Sequence, residues 1–467
     1  MATTSATFTS ASVSVRDSVE RVPWYVWCSV IAVTSAMIGG QWDISWHRSI
    51  GRDTFWTPAH MAIYLCGVLA GLSCGYLILA TTFGNFSRLR DTSVTMWGFR
   101  GPLGAFIAAW GGVAMLTSAP FDNWWHAAYG LDVKIISPPH ILLIMGTLAV
   151  EVGTLILILG MMNRARDEFQ ARLDALFLYL GGVILVILMT MMMEFSGHTQ
   201  MHNGMFYRAM CMFSPVVLAG VAWASGKRWA ASAVAGVYTL FWAAMGWILP
   251  LFPAEPKLGP VYHKVTQFVP PSFPVLIIVP ALVLDIFWNR LRSRRLFEQS
   301  SANFSETVLK IAACYGPVWV VLTWIAGMAP SSGLGAACQA VASTIPPEIA
   351  IFAIVLALVF GAIRSGTKSW GPWTVSAISG LVFLGVLIAV QWPFADFLQT
   401  PYARNWFFHT NIFEYFARPE WSNMRYVFIQ PDPPAVFWAD LSIGALWAAV
   451  AIRLGLAWGE WMKRVRR

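Results

Sequence analysis

The sequence predicts an all-α fold, a polytopic membrane bundle of about twelve transmembrane helices with both termini cytoplasmic. Three observations predict it. The 467 residues are 57% hydrophobic and only 12% charged, about half the charged share of a soluble domain, and the mean hydropathy is +0.60. Apolar runs long enough to cross a bilayer recur along the chain, whereas a β-barrel would alternate polar and apolar residues. Lysine and arginine concentrate in every second loop, which orients the spans.

A Ser/Thr-rich tail, residues 1–22, precedes the first span, and without a convincing small-residue cleavage site that span reads as an uncleaved signal anchor. Spans are expected to begin near Trp24, Pro58, Pro102, Pro138, Ala175, Phe206, Trp229, Phe273, Glu306, Pro346, Gly371 and Ala435. Arg88, Arg90 and Arg100 follow the second, and Arg164, Arg166 and Arg172 follow the fourth. Lys227 and Arg228 follow the sixth, Arg290, Arg292, Arg294 and Arg295 the eighth, and Arg364 and Lys368 the tenth. These loops are therefore cytoplasmic. They account for the net charge of +8 without a nucleic-acid partner. The six cysteines, Cys28, Cys66, Cys74, Cys211, Cys314 and Cys338, form no CxxC and read as small packing residues.

With this topology all eight histidines, His47, His60, His126, His140, His198, His202, His263 and His409, share the outer side. Longer outer loops collect polar residues and explain part of that bias. Metal ligation, the commonest shared task of imidazole, explains the rest.

Two stretches carry one skeleton: Asp-x-x-Trp-His, then Gly-x-Asp, then Pro-x-His. In the first these are Asp43, Trp46, His47, Gly51, Asp53, Pro58 and His60; in the second, Asp122, Trp125, His126, Gly130, Asp132, Pro138 and His140. Each joins an odd-numbered span to the next. Residues 23–165 thus read as a duplicated two-helix unit, and residues 166–467 as a further eight-helix region with a long outer cap at about 393–434. Asp and His four residues apart share a helix face and can grip one ion. Pro58 and Pro138 suit a first helical turn, from which His60 and His140 project back toward the loop. Two imidazoles and a carboxylate suit copper, non-haem Fe(II) or zinc and leave coordination positions open. Asp53 and Asp132 are extra ligands or orient a histidine. Trp46 and Trp125 anchor the chain at the interface. A single Asp-x3-His pair in a loop is commonplace; a repeated skeleton that keeps Asp and His as well as Gly and Pro points to metal.

The segment "WHRSIGRDTFWTPAH" resembles the metal-binding segment of the C subunit of copper membrane monooxygenases, the particulate methane and ammonia monooxygenase group. Asp43, Trp46, His47, Arg52, Asp53, Thr54, Thr57, Pro58 and His60 carry the match. Asp122, His126 and His140 have the spacing of that subunit's second copper site, with Asp in place of the usual Asn. The resemblance covers residues 20–165 and leaves the later spans unaccounted for. It implies copper, with iron the second choice and zinc possible, further monooxygenase-type subunits as partners, and a bacterial cytoplasmic (inner) membrane with the metal sites on its outer face. A homo-oligomer is a further candidate assembly.

Elsewhere, Glu194, His198 and His202 sit at i, i+4 and i+8 behind Met191, Met192 and Met193. They read as a third metal site or copper entry route, or as a polar cap, with Gly197 opposing an unbroken helix. Glu255 and His263 lie in a proline-punctuated loop that is a lid, a partner surface or a ligand source, and His409 is a weaker ligand candidate. Glu151 lies inside the fourth span, about three turns from His140, as a proton relay or a packing residue. Zinc-protease, P-loop, nucleophile-elbow and covalent-haem motifs are absent, and surface histidines disfavour haem held within the spans. Two readings follow: a dioxygen-activating oxidoreductase for a small apolar or neutral substrate, with Asp122, His126, His140 and Glu151 catalytic, or a metal-handling transporter. Ligands at the outer edge rather than at broken helices near the midplane favour the first.

Overall fold

The computed structural model describes residues 21–84, 90, 92–130, 137–165, 167–293, 371–420, 426–429 and 432–465. Ten long α-helices run through them: α1 (Trp24–Ser49), α2 (Pro58–Phe83), α3 (Leu103–Tyr129), α4 (Pro138–Met162), α5 (Asp167–Met191), α6 (Gly204–Ser225), α7 (Ala230–Ile248), α8 (Ile278–Ser293), α9 (Pro372–Gln399) and α10 (Pro434–Arg464). Among the described residues, eight helices are long and apolar enough to cross a membrane, the build of an integral membrane protein. The expected twelve are not all among them. α1 has the length but is diluted by Ser, Thr, Gly and Gln41 and ends in charged residues, and α8 has only 16 residues. The spans placed near Glu306 and Pro346, with Cys314 and Cys338, lie outside the described residues. Cys28, Cys66, Cys74 and Cys211 are free thiols.

Pro58 and Pro138 open α2 and α4 as the sequence suggests, because their missing N–H falls where a helix needs no donor. α5 begins at Asp167, two turns before the apolar run that marks it in the sequence. The basic loop after α2 folds as a hairpin, β1 (Val94–Met96) against β2 (Phe99–Gly101), antiparallel. Its turn, Trp97-Gly98, takes positive φ at both residues, as a two-residue hairpin favours.

α1 packs on α2, α2 on α3, α3 on α4, and α4 returns to α1, so the two repeat units share one four-helix group. α3 and α4 touch through backbone: a Cβ at Gly111 would lie 2.7 Å from the Gly146 carbonyl oxygen. α5 joins this group to α6 and α7, and α10 lies against α6 and α9. One apolar core runs from Val26 of α1 to Met462 of α10. A smaller cluster at one end of the bundle gathers Ile50, Leu249, Ala254, Phe268, Val269 and Tyr415 against Trp42 and Trp46. There Ser45 donates to the Val269 carbonyl (2.6 Å), the Val269 N–H donates to Ser49 Oγ (2.7 Å), and the Lys257 N–H donates to the Ile50 carbonyl (2.9 Å). Helix alternation and these bonds bring every histidine of the chain to this same end.

Candidate metal centre

Asp43 and His47 lie on consecutive turns at the end of α1. Gly51, at φ 86°, turns the chain back in a conformation that glycine adopts without a Cβ penalty. The Trp46 indole N–H, which the sequence reading leaves as an interfacial anchor, donates to the Arg52 carbonyl (2.9 Å) and holds the turn. Thr54 N–H donates to Thr57 Oγ1 (2.8 Å), and Thr57 N–H donates to the Thr54 carbonyl (2.9 Å). That reciprocal pair fixes the Thr54 carbonyl oxygen just ahead of α2. His60, in the first turn of α2, places Nδ1 2.9 Å from it.

The other nitrogen of His60 faces carboxylates. Its Nε2 lies 3.1 Å from Asp43 Oδ1 and 3.4 Å from Asp53 Oδ2. His47 Nε2 lies 3.5 Å from Asp53 Oδ2 and 3.8 Å from Asp43 Oδ2. One ligand atom from each of Asp43, Asp53 and His60 falls within 4.8 Å of the others. A carbonyl only accepts, so Nδ1 of His60 carries the proton, and a neutral ring turns the lone pair of Nε2 toward two anions. Asp43 Oδ1 is buried and makes no hydrogen bond among the described residues. Acceptors so placed repel unless positive charge stands between them: a metal cation, or a second proton on the ring. The donor set of two carboxylates and two imidazoles fits a first-row transition ion. The Thr54 carbonyl supplies the outer hydrogen bond that usually orients a ligating histidine.

The second copy repeats the design. Asp122 and His126 share a face at the end of α3, and Gly130, at φ 96°, turns as Gly51 does. His126 Nε2 lies 3.3 Å from Asp122 Oδ2, and His140 Nε2 lies 3.5 Å from Asp122 Oδ1. His126 also places Nδ1 near a loop carbonyl, 3.3 Å from Gly130. Asp122 Oδ1 is again buried without a hydrogen bond among the described residues. Asp132 lies outside the described residues.

The two sets are neighbours, because α2 packs between α1 and α3. Tyr64, one turn along α2, has its ring 6.0 Å from that of His60 and lies within electrostatic reach of Asp43, Asp53 and Asp122. His140 is likewise within reach of Asp43.

The remaining candidates are not gathered there. α5 ends at Met191 and two short 3-10 turns follow, Met193–Phe195 and His198–Gln200, so Glu194, His198 and His202 share no helix face. Glu194 is exposed. His202 is stacked between Trp392 (4.1 Å) and Phe428 (3.4 Å), with Nε2 3.3 Å from both Asp396 Oδ1 and the Trp392 carbonyl. Burial between those rings draws its pKa below the usual value, with Trp392 and Asp396 opposing the shift. Glu255 is exposed, and His263 stacks on Phe413. His409 is buried in the cap, at φ 55°, with neither ring nitrogen hydrogen-bonded among the described residues; burial lowers its pKa too. Glu151 is wholly buried in α4 and neither carboxyl oxygen has a hydrogen-bond partner among the described residues.

One group escapes sequence reasoning altogether. Arg48, between the first-copy residues, donates from Nη2 (2.6 Å) and Nε (3.2 Å) to Glu414 Oε1 in the cap. The Tyr415 N–H then donates to the Arg48 carbonyl (3.3 Å). Nothing local in the sequence announces a partner so distant.

Fold and site together define a helical membrane bundle with two carboxylate–imidazole clusters at one end. Comparison with protein-family models, with curated proteins and with solved structures finds no match.

Proposed function

We propose that the chain is a membrane metalloprotein that binds copper, or iron as second choice, at the two Asp/His sets, and that it acts as a dioxygen-dependent oxidoreductase or a subunit of one. The observation that carries this reading is the pinned His60: its Nδ1–H is held by a backbone carbonyl while Nε2 faces Asp43 and Asp53. In the first copy Asp43, Asp53, His47 and His60 would hold the ion; in the second, Asp122, His126 and His140. Bound copper or iron would supply the redox chemistry that activates dioxygen. The chain's own residues orient the donors and neutralise the ion's charge.

The first set is richer in described carboxylates and strapped to the cap through Arg48 and Glu414, so it serves structure. The second set has one carboxylate among the described residues and Ala127 in place of Arg48; it is the reactive centre. Its substrate is small and apolar or neutral and arrives through the bilayer. The metal end faces outward across a bacterial inner membrane, twelve spans complete the bundle, and the kinship is with the C subunit of the copper membrane monooxygenases. The buried Glu151, without a hydrogen-bond partner among the described residues, favours a second reading, a transporter that moves a metal or a proton.

Elemental analysis of purified protein tests the first reading, with about two equivalents of copper or iron expected. A folded protein that stays metal-free after reconstitution with either metal overturns it. Sidedness has its own test. A cysteine at Tyr402, 79% exposed in the cap, should react with an impermeant thiol reagent from outside the cell, and one at Arg172 should not.

A further inference from the structure

The end of the bundle opposite the Asp/His sets has a groove of about 500 Å³ between the start of α1 and the first turns of α5. Val22, Trp27, Ala175 and Leu176 make its apolar wall, and Arg21 and Arg172 stand at its rim. Neighbouring cations at this end are mostly engaged: Lys227 with Asp174 at 2.8 Å, Arg464 with Glu460 at 3.0 Å, and Lys463 over the Trp223 ring at 4.2 Å. Arg21 and Arg172 are exposed, and no carboxylate among the described residues pairs with either. Trp27, 47% exposed, is of the residue type that settles at headgroup depth, with an apolar ring and a polar N–H. Two guanidinium groups with no carboxylate partner among the described residues, above an apolar wall, match a ligand with a phosphate at one end and hydrocarbon below. Guanidinium meets phosphate with paired donors, and basic pockets at helix ends are where anionic headgroups bind.

We propose that this groove holds one anionic phospholipid, its phosphodiester between Arg21 and Arg172 and its acyl chains along Trp27 and Leu176. A zwitterionic lipid brings the same phosphate but adds an ammonium that the two arginines repel. The proposal rests on the membrane placement of the bundle and is independent of the metal reading.

Native mass spectrometry of the full chain tests it, with phosphatidylglycerol and phosphatidylcholine of matched acyl chains titrated separately. Phosphatidylglycerol should populate a first adduct at roughly ten-fold lower concentration, as two nearby cationic side chains require. Arg21→Gln with Arg172→Gln should abolish that preference while phosphatidylcholine adducts persist. Lysine at both positions should keep most of it, and Arg100→Gln should leave it unchanged. Trp27→Ala should weaken both lipids and serves as the deciding variant if the glutamine pair does not fold. A preference that survives the glutamine pair, or phosphatidylglycerol binding unmoved by Trp27→Ala, overturns the site. Displacement of the lipid by inorganic phosphate at equal concentration also overturns it, since the groove would then be an anion site without a lipid.

Discussion

The two copies of the Asp/His unit share a seven-position skeleton that includes the glycine turn, yet they differ in the residue that follows the first histidine, Arg48 in one and Ala127 in the other. In the first, His60 is pinned by the Thr54 carbonyl, two carboxylates converge on its free nitrogen, and Arg48 and Ile50 tie the turn to Glu414 and Lys257 of distant loops. In the second, His126 Nδ1 lies 3.3 Å from the Gly130 carbonyl, Asp122 is the one carboxylate described, and Ala127 stands where the first copy has Arg48, so the strap to Glu414 has no counterpart there. A repeated motif therefore sets which donors can meet, and the surroundings set how firmly they are held. On the proposed function, the strapped copy would retain an ion and the other would admit a substrate.

The largest effect that would separate the copies is loss of metal. Asp43→Ala with His60→Ala should remove about one equivalent and leave the other, and Asp122→Ala with His126→Ala should do the converse. Elemental analysis of both proteins reads this out; if either pair strips all metal, the copies form a single site. Next comes the strap. Glu414→Gln leaves Arg48, whose side chain is 26% exposed, without its anion. The cost should lie between the ~1 kcal/mol of a surface pair and the ~3–5 kcal/mol of a buried one. Thermal unfolding should register that loss, and ion exchange should quicken at the first copy only. A smaller change is expected from Thr57→Val, which removes the hydroxyl that accepts from the Thr54 N–H and so loosens the turn that carries the Thr54 carbonyl: first-copy affinity should fall roughly ten-fold with the second copy unchanged, as for other groups that orient a ligand. Competition with a chelator measures it.

Asp122→Asn should keep metal but change its spectrum and turnover, whereas Asp43→Asn should mainly weaken binding. The reverse outcome would exchange the roles of the copies. The smallest effect belongs to a histidine outside both sets. His202 titrates below its ordinary 6.5 because burial disfavours its charged form. The folded state thus holds fewer protons than the unfolded chain in that window. The associated stability is complete above about pH 6.5 and is lost as pH falls through the folded value. Melting temperature against pH should show this slope in metal-free protein, and it should flatten in His202→Gln.

Much of this was legible in the chain itself. Helical hydropathy, the prolines that open α2 and α4, and the Asp/His spacing are local signals, and local signals placed Asp43, His47 and His60 together. Asp53 reads equally as ligand or support, because an eight-residue turn has no period to say where its side chains point. The i, i+4, i+8 pattern at Glu194 suggested a face, but the chain leaves the helix at Met191 and Gly197 allows the turn. The strap from Arg48 and the stacking of His202 on Trp392 join segments far apart in sequence, which periodicity cannot report.

The pairing of Arg48 with Glu414 spans 366 positions of chain. During synthesis the first turn emerges long before its clasp exists, and α1 and α2 reach the bilayer while the last loop is still unmade. The first Asp/His set is therefore complete in its donors early and strapped to the cap only near the end of translation. On the proposed function a metal could load before the strap forms, and a chain truncated before Glu414 would keep the donors and lose the strap.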